Sequence, residues 1–236
     1  MSKILICGFP HCGTSILKSI ICHIDDTEEI CHETHVITKS TDKKYIVAKY
    51  PFVLRSFFNE TYKDYIKIFI IRNPLYVFSS LRKRFNDNIP SDHSINAYIK
   101  TIKLFIHYSK NPSENIYTLR YEDLFENDYK QITNVLDNIG LQYTNDIFDN
   151  SKYVNKIIEC ISVPVHKPLN SQHGEYRTWG INQPFISNND ISKIDLTGSQ
   201  KQLLLNDKYI QEVYPDIKLI YEQSETFTQI NKHLLK

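Results

Sequence analysis

Apolar positions along this chain fall into short blocks of two different periods. Residues 4–7 form an unbroken apolar run of strand length, and Ile16, Leu17, Ile20 and Ile21 then recur on one helix face. Further strand-like runs cover 45–48, 66–71 and 115–119, with 66–71 the clearest buried strand. Between them the period lengthens. Asn73 caps a helix, Pro74 suits its first turn, and Val77, Phe78 and Leu81 carry it towards Arg84. Ile95, Tyr98, Ile99, Ile102, Phe105 and Ile106 predict a long helix over 92–109, and Gly140 stops the helix that ends near Ile139. The polar stretch 25–29 reads as a solvated break, and Pro51 ends the second strand ahead of a helix-like segment through Tyr62. Residues 143–161, 199–214 and 216–235 are helical in pattern. Strands alternating with helices predict one α/β domain over 1–236. Its core, about 3–180, holds a parallel sheet of about four or five strands with helices on both faces, P-loop NTPase-like in the Gly8-x-x-x-x-Gly13-Thr14-Ser15 spacing after its first strand; a helical C-terminal part, about 181–236, follows.

The junction of the first strand and first helix carries the most specific chemistry. It reads Gly8-Phe9-Pro10-His11-Cys12-Gly13-Thr14-Ser15. Two glycines between a strand and a helix let backbone N–H groups and a helix N-terminus approach a phosphate or sulfate closely. The spacing matches the nucleotide-binding P-loop except that Thr14 stands where that loop has its phosphate-reaching lysine. The strand over 66–71 ends in Arg72, where a metal-dependent P-loop enzyme usually has an aspartate. Both changes argue against a kinase-like phosphotransferase and for a ligand with extra negative charge and no metal.

Pro10-His11-Cys12-Gly13-Thr14-Ser15 resembles the 5′-phosphosulfate loop of sulfotransferases that use 3′-phosphoadenosine 5′-phosphosulfate (PAPS), with His11 where the family usually has Lys or Arg. Arg72 with Ser80 eight residues later resembles the family's 3′-phosphate motif. An Arg fork and a serine hydroxyl suit phosphate oxygens, and the two motifs occur here in the family's order. Glu33-Thr34-His35-Val36-Ile37 and the run from Lys49 to Ser56 are similar to segments of the protein-tyrosine branch. The resemblance implies sulfuryl transfer to an acceptor hydroxyl, releasing 3′-phosphoadenosine 5′-phosphate (PAP), with Glu33 as base and Lys49 and His11 as catalytic cations. It implies cofactor contacts from Pro10, His11, Cys12, Gly13, Thr14, Ser15, Arg72 and Ser80, and from Tyr121 at the adenine. It adds Lys167 and Arg177, in a late segment of the kind that folds over the cofactor. The acceptor, whether small molecule, glycan or peptide, is left open.

Composition narrows the setting. A net charge of +1 over 236 residues gives no global field for nucleic acid or membrane, so any anion site is local. Five cysteines without regular spacing suggest neither a disulfide framework nor zinc, and His32 and His35 are one residue short of the helical metalloprotease spacing. Met1 leads directly into the first strand, with no signal peptide and no run long enough to span a bilayer, so a cytoplasmic location is expected. Two rivals remain beside the kinase. A cysteine phosphatase built on Cys12 needs Arg six residues on, where the chain has Lys18. A non-catalytic PAP-binding protein is compatible with His11 in place of the loop cation.

Overall fold

The computed structural model describes residues 1–149, 151 and 186–234. Five strands, β1 (Ser2–Gly8), β2 (Thr27–Glu29), β3 (Tyr45–Tyr50), β4 (Tyr65–Ile71) and β5 (Ile116–Arg120), form one parallel sheet in the order β2-β3-β1-β4-β5. Around it lie α1 (Thr14–Ile21), α2 (Pro74–Phe85), α3 (Ile95–Lys110) and α4 (Lys130–Ile139), followed by α5 (Gly198–Asn206), α6 (Lys208–Val213) and α7 (Ile217–Leu234). Strand alternation sorts the core into two layers. Ile4, Ile6, Val47, Ile68 and Ile70 face α1 and α4, while Leu5, Cys7, Ala48, Phe69 and Ile71 face α2, α3 and the C-terminal helices.

The sheet of five strands, helices on both faces and a helical C-terminal part match the expected architecture. Two local readings change. Residues 25–29, read as a solvated break, contain the edge strand β2: its backbone pairs with β3, and the Thr27 hydroxyl bonds the carbonyls of Ile21 and Ile24. Residues 52–62, read as helix-like, fold as two short 3-10 turns, Arg55–Phe58 and Glu60–Tyr62. Asn73 caps α2 as expected, accepting from Leu75 N at 3.0 Å, with Pro74 opening the helix. Gly140 ends α4 in the left-handed region at φ 81°.

Because all five strands run the same way, their carboxyl ends share one edge, where open α/β sheets place ligands. The glycines flanking the loop after β1 are sterically required there. A Cβ on Gly8 would sit 2.2 Å from the Ile70 carbonyl oxygen, and Gly13 has φ 93° with the Tyr121 ring 2.5 Å from a built Cβ. No helix among the described residues is long and apolar enough to cross a membrane.

Candidate active site

Lys49 and Val47 project from the same side of β3, towards α1. The Lys49 ammonium therefore reaches the first turn of α1, where Nζ donates to Ser15 Oγ at 2.5 Å. It also pairs with Glu33 Oε1 at 3.0 Å. Glu33 is brought there by the loop after β2, which is pinned to β3 by Thr34 N on the Lys49 carbonyl. The Glu33 side chain is half-exposed while that of Lys49 is largely covered, so the pair has one face to solvent. Next in sequence, His35 shares a hydrogen bond of 2.7 Å with Tyr62 OH and packs against Tyr50 and Phe57. It belongs to the scaffold.

His11 occupies the turn of the loop with φ 66°, a left-handed conformation uncommon for a non-glycine residue. Its Nδ1 lies 2.6 Å from Ser80 Oγ, and its carbonyl accepts from Arg72 Nη1 at 3.4 Å. One loop residue thus joins both halves of the Arg72 and Ser80 motif. His11 Nε2 is buried, with no hydrogen-bond partner among the described residues. Burial, reinforced by Arg84, His93 and Arg72, pushes the imidazole down to about 3, so it is neutral near pH 7. The smaller, electrostatic part of that shift, from Arg84, His93 and Arg72, is a positive field that also favours an anion. Gly13, the N-cap of α1, supplies no side-chain cap to the first turn. An uncapped helix start, a buried ring nitrogen without a partner and nearby Lys49, Arg72 and Arg84 together fit a multiply charged anion.

Arg72 follows β4, almost fully buried, its guanidinium 4.2 Å from the Tyr121 ring centroid. Tyr121 is 1% exposed, lies beneath Gly13 and accepts at its hydroxyl from Asn188 N at 3.0 Å. In this arrangement it supports the loop and Arg72, with almost no surface left for a ligand. Burial drives the Cys12 thiol up to about 12, which removes the thiolate a cysteine phosphatase needs. Pro10 and Thr14 lie in the same turn, whereas Lys167 and Arg177 lie outside the described residues.

Four contributors, Glu122, Asn189, Arg84 and His93, have no functional signal in the sequence pattern. Glu122 is buried and accepts from Asn73 N at 2.9 Å, where a cap of the following helix is the natural reading of Glu122 and Asp123. Asp123 instead pairs with Arg120 at 2.5 Å. Asn189 bonds both Arg72 and Glu122 from within a short polar stretch that reads only as loop. Arg84 and His93 act on His11 through space. Among the described residues no group of three or more His, Cys, Asp or Glu is placed to hold a metal ion. Clefts of about 430 Å³ near α5 and α7 and about 280 Å³ beside residues 29–39 include no residue of the loop.

No protein-family model matches the chain, and a search of curated proteins finds no match. Solved structures do match. The mouse sulfotransferase SULT7A1 complexed with PAP aligns over 92% of this chain and 88% of its own, at 16% identity and a TM-score of 0.57. A sulfotransferase domain from the Synechococcus PCC 7002 olefin synthase covers 86% of this chain and 93% of its own, at 13% identity and TM-score 0.47. Retinol dehydratase in a complex with retinol and PAP covers 94% and 80%, at 11% identity and TM-score 0.44. At 16% identity the likeness to the mouse enzyme is one of fold, and it joins the parallel sheet and its glycine-bounded loop in one statement: this chain has the sulfotransferase fold.

Proposed function

We propose that the protein is a PAPS-dependent sulfotransferase that moves a sulfuryl group to an acceptor hydroxyl. One observation carries the reading. Lys49 Nζ stands between the Glu33 carboxylate at 3.0 Å and the Ser15 hydroxyl at 2.5 Å, at the carboxyl edge of the sheet. A cation, a candidate base and an anion-binding helix start, from three separate stretches of chain, meet at one point. When bound, PAPS supplies the sulfuryl group and a phosphate leaving group. Gly13, Thr14 and Ser15 hold the 5′-phosphate through backbone N–H groups and hydroxyls, and Pro10 and Cys12, whose N–H bonds the Phe9 carbonyl, shape the loop around it. Arg72 and Ser80 hold the 3′-phosphate, and Tyr121 supports them. Glu33 accepts the proton that leaves the acceptor hydroxyl, and Lys49 offsets the negative charge that develops as the bond to sulfur changes hands. His11 serves in its neutral form, its Nδ1 2.6 Å from Ser80 Oγ linking the loop to the 3′-phosphate pair. Lys167 and Arg177 complete the cofactor site from the late segment. The acceptor is a small molecule, glycan or peptide bearing a hydroxyl, no metal takes part, and the setting is cytoplasmic.

A second reading, a protein that binds PAP without turnover, is favoured by the neutral state of His11. Incubation with radiolabelled PAPS and a panel of phenols, sugars and tyrosine peptides separates the two. Transfer of label to any acceptor supports the enzyme. Tight binding of PAP with no transfer supports the second reading, and failure to bind either nucleotide overturns both.

A further inference from the structure

Asn189 is the one side chain among the described residues that bonds both charged groups behind the loop. Its Oδ1 accepts from Arg72 Nε at 2.8 Å and its Nδ2 donates to Glu122 Oε1 at 3.0 Å. The amide orientation follows from its partners, because a guanidinium only donates and a carboxylate only accepts. Glu122 also receives Asn73 N at 2.9 Å on Oε1 and the Tyr214 hydroxyl at 3.4 Å on Oε2. Among the described residues no ion pair joins Arg72 to Glu122, although the same amide touches both. A direct, bidentate Arg–carboxylate fork is the strongest alternative open to such a pair, and it would consume the donors that a phosphate needs.

We propose that Asn189 is a positioning residue that insulates Arg72 from Glu122, so that the guanidinium stays available to the 3′-phosphate. This inference rests on the reading of Arg72 and Ser80 as the 3′-phosphate site. The amide ties back Nε, the guanidinium carbon lies 4.2 Å from the Tyr121 ring centroid, and Nη1 is on the loop side, where it makes only a long contact with the His11 carbonyl at 3.4 Å. The neighbouring Asn188 N on Tyr121 OH anchors the same segment, which fixes the amide relative to the ring it helps to orient.

Calorimetric titration of the full chain with PAP and with adenosine 5′-monophosphate tests this. Wild type is expected to prefer PAP by more than about tenfold, the range of one charge-assisted bond. Asn189→Ala removes the insulator, and PAP affinity is expected to fall about tenfold while the monophosphate changes less than about twofold. Asn189→Ala combined with Glu122→Gln is expected to recover PAP affinity, since no carboxylate is left to capture Arg72. A merely structural role for Asn189 would not produce that recovery. Should Asn189→Ala fail to fold, Asn189→Ser carries the same expectations. Wild type without a preference for PAP overturns the 3′-phosphate reading and this inference together. A wild-type preference that Asn189→Ala leaves intact, or a loss that Glu122→Gln does not repair, overturns the role of Asn189 alone.

Discussion

Single side chains at this site divide by whether charge or shape is their contribution. Lys49 and Glu33 contribute charge and touch each other across 3.0 Å, so each is expected to matter more for turnover than for nucleotide binding. Lys49→Ala and Glu33→Gln should each lower kcat by about 10²–10³ while PAP affinity stays within a few-fold. Equal losses in affinity and rate would make the pair a binding element. His11 contributes through neutrality, and its sign can be worked out. An imidazole near 6.5 in the unfolded chain and about 3 in the folded one means the unfolded state binds the extra proton between those values. Its contribution to stability is complete above pH 6.5 and is lost as pH falls towards 3. Going from pH 7 to pH 5, wild type is expected to lose about 2 kcal/mol more than His11→Asn, a neutral residue that also tolerates positive φ. Urea unfolding at the two pH values measures the difference, and parallel curves would place the acid sensitivity elsewhere.

Elements hold these residues by a few strict contacts. The loop after β1 exists because Gly13 can take φ 93° with the Tyr121 ring against its α-carbon, and α1 starts directly from that turn. Gly13→Ala is expected to cost about 2–3 kcal/mol and to weaken nucleotide binding, because the loop must lift off Tyr121. Gly198, at the start of α5, has nothing within 4 Å of a built Cβ, so Gly198→Ala should be neutral or stabilising by up to about 1 kcal/mol. Chemical denaturation of the two variants checks both, and equal effects would show that the loop relaxes freely. The stretch from Asn188 to Asp195 has a comparable holding role. It bonds Tyr121 and Arg72, places Asp195 N on Ser79 Oγ at 2.9 Å, and pairs Asp195 with Arg82. It ties the C-terminal part of the chain to Arg72, just before α2, and to the middle of α2, where Ser80 sits.

For the whole molecule, a ligand that binds only the folded state adds stability by mass action. PAP at about one hundred times its dissociation constant should contribute about 2.7 kcal/mol, raising Tm by roughly 5–10 °C for a chain of this size. Arg72→Ala should abolish most of that shift, and EDTA should leave it unchanged; a shift that depends on added Mg²⁺ would revive the kinase reading. The sequence by itself determined the elements whose information is local. The apolar runs of β1, β3, β4 and β5 and the helical period of α1 to α3 are written in nearest-neighbour patterns, and the loop's glycines are legible because no other residue fits such a turn. The edge strand β2 escaped because Thr27-Glu28-Glu29 carries no apolar signal and is held by backbone pairing with β3. Only the tertiary structure decided the rest. Strand register put Lys49 on the α1 side, and crossing chain segments put Glu33 beside it and Asn189 between Arg72 and Glu122. The protonation of His11 is likewise absent from the sequence, since burial and the charges of Arg84, His93 and Arg72 set it through space rather than along the chain.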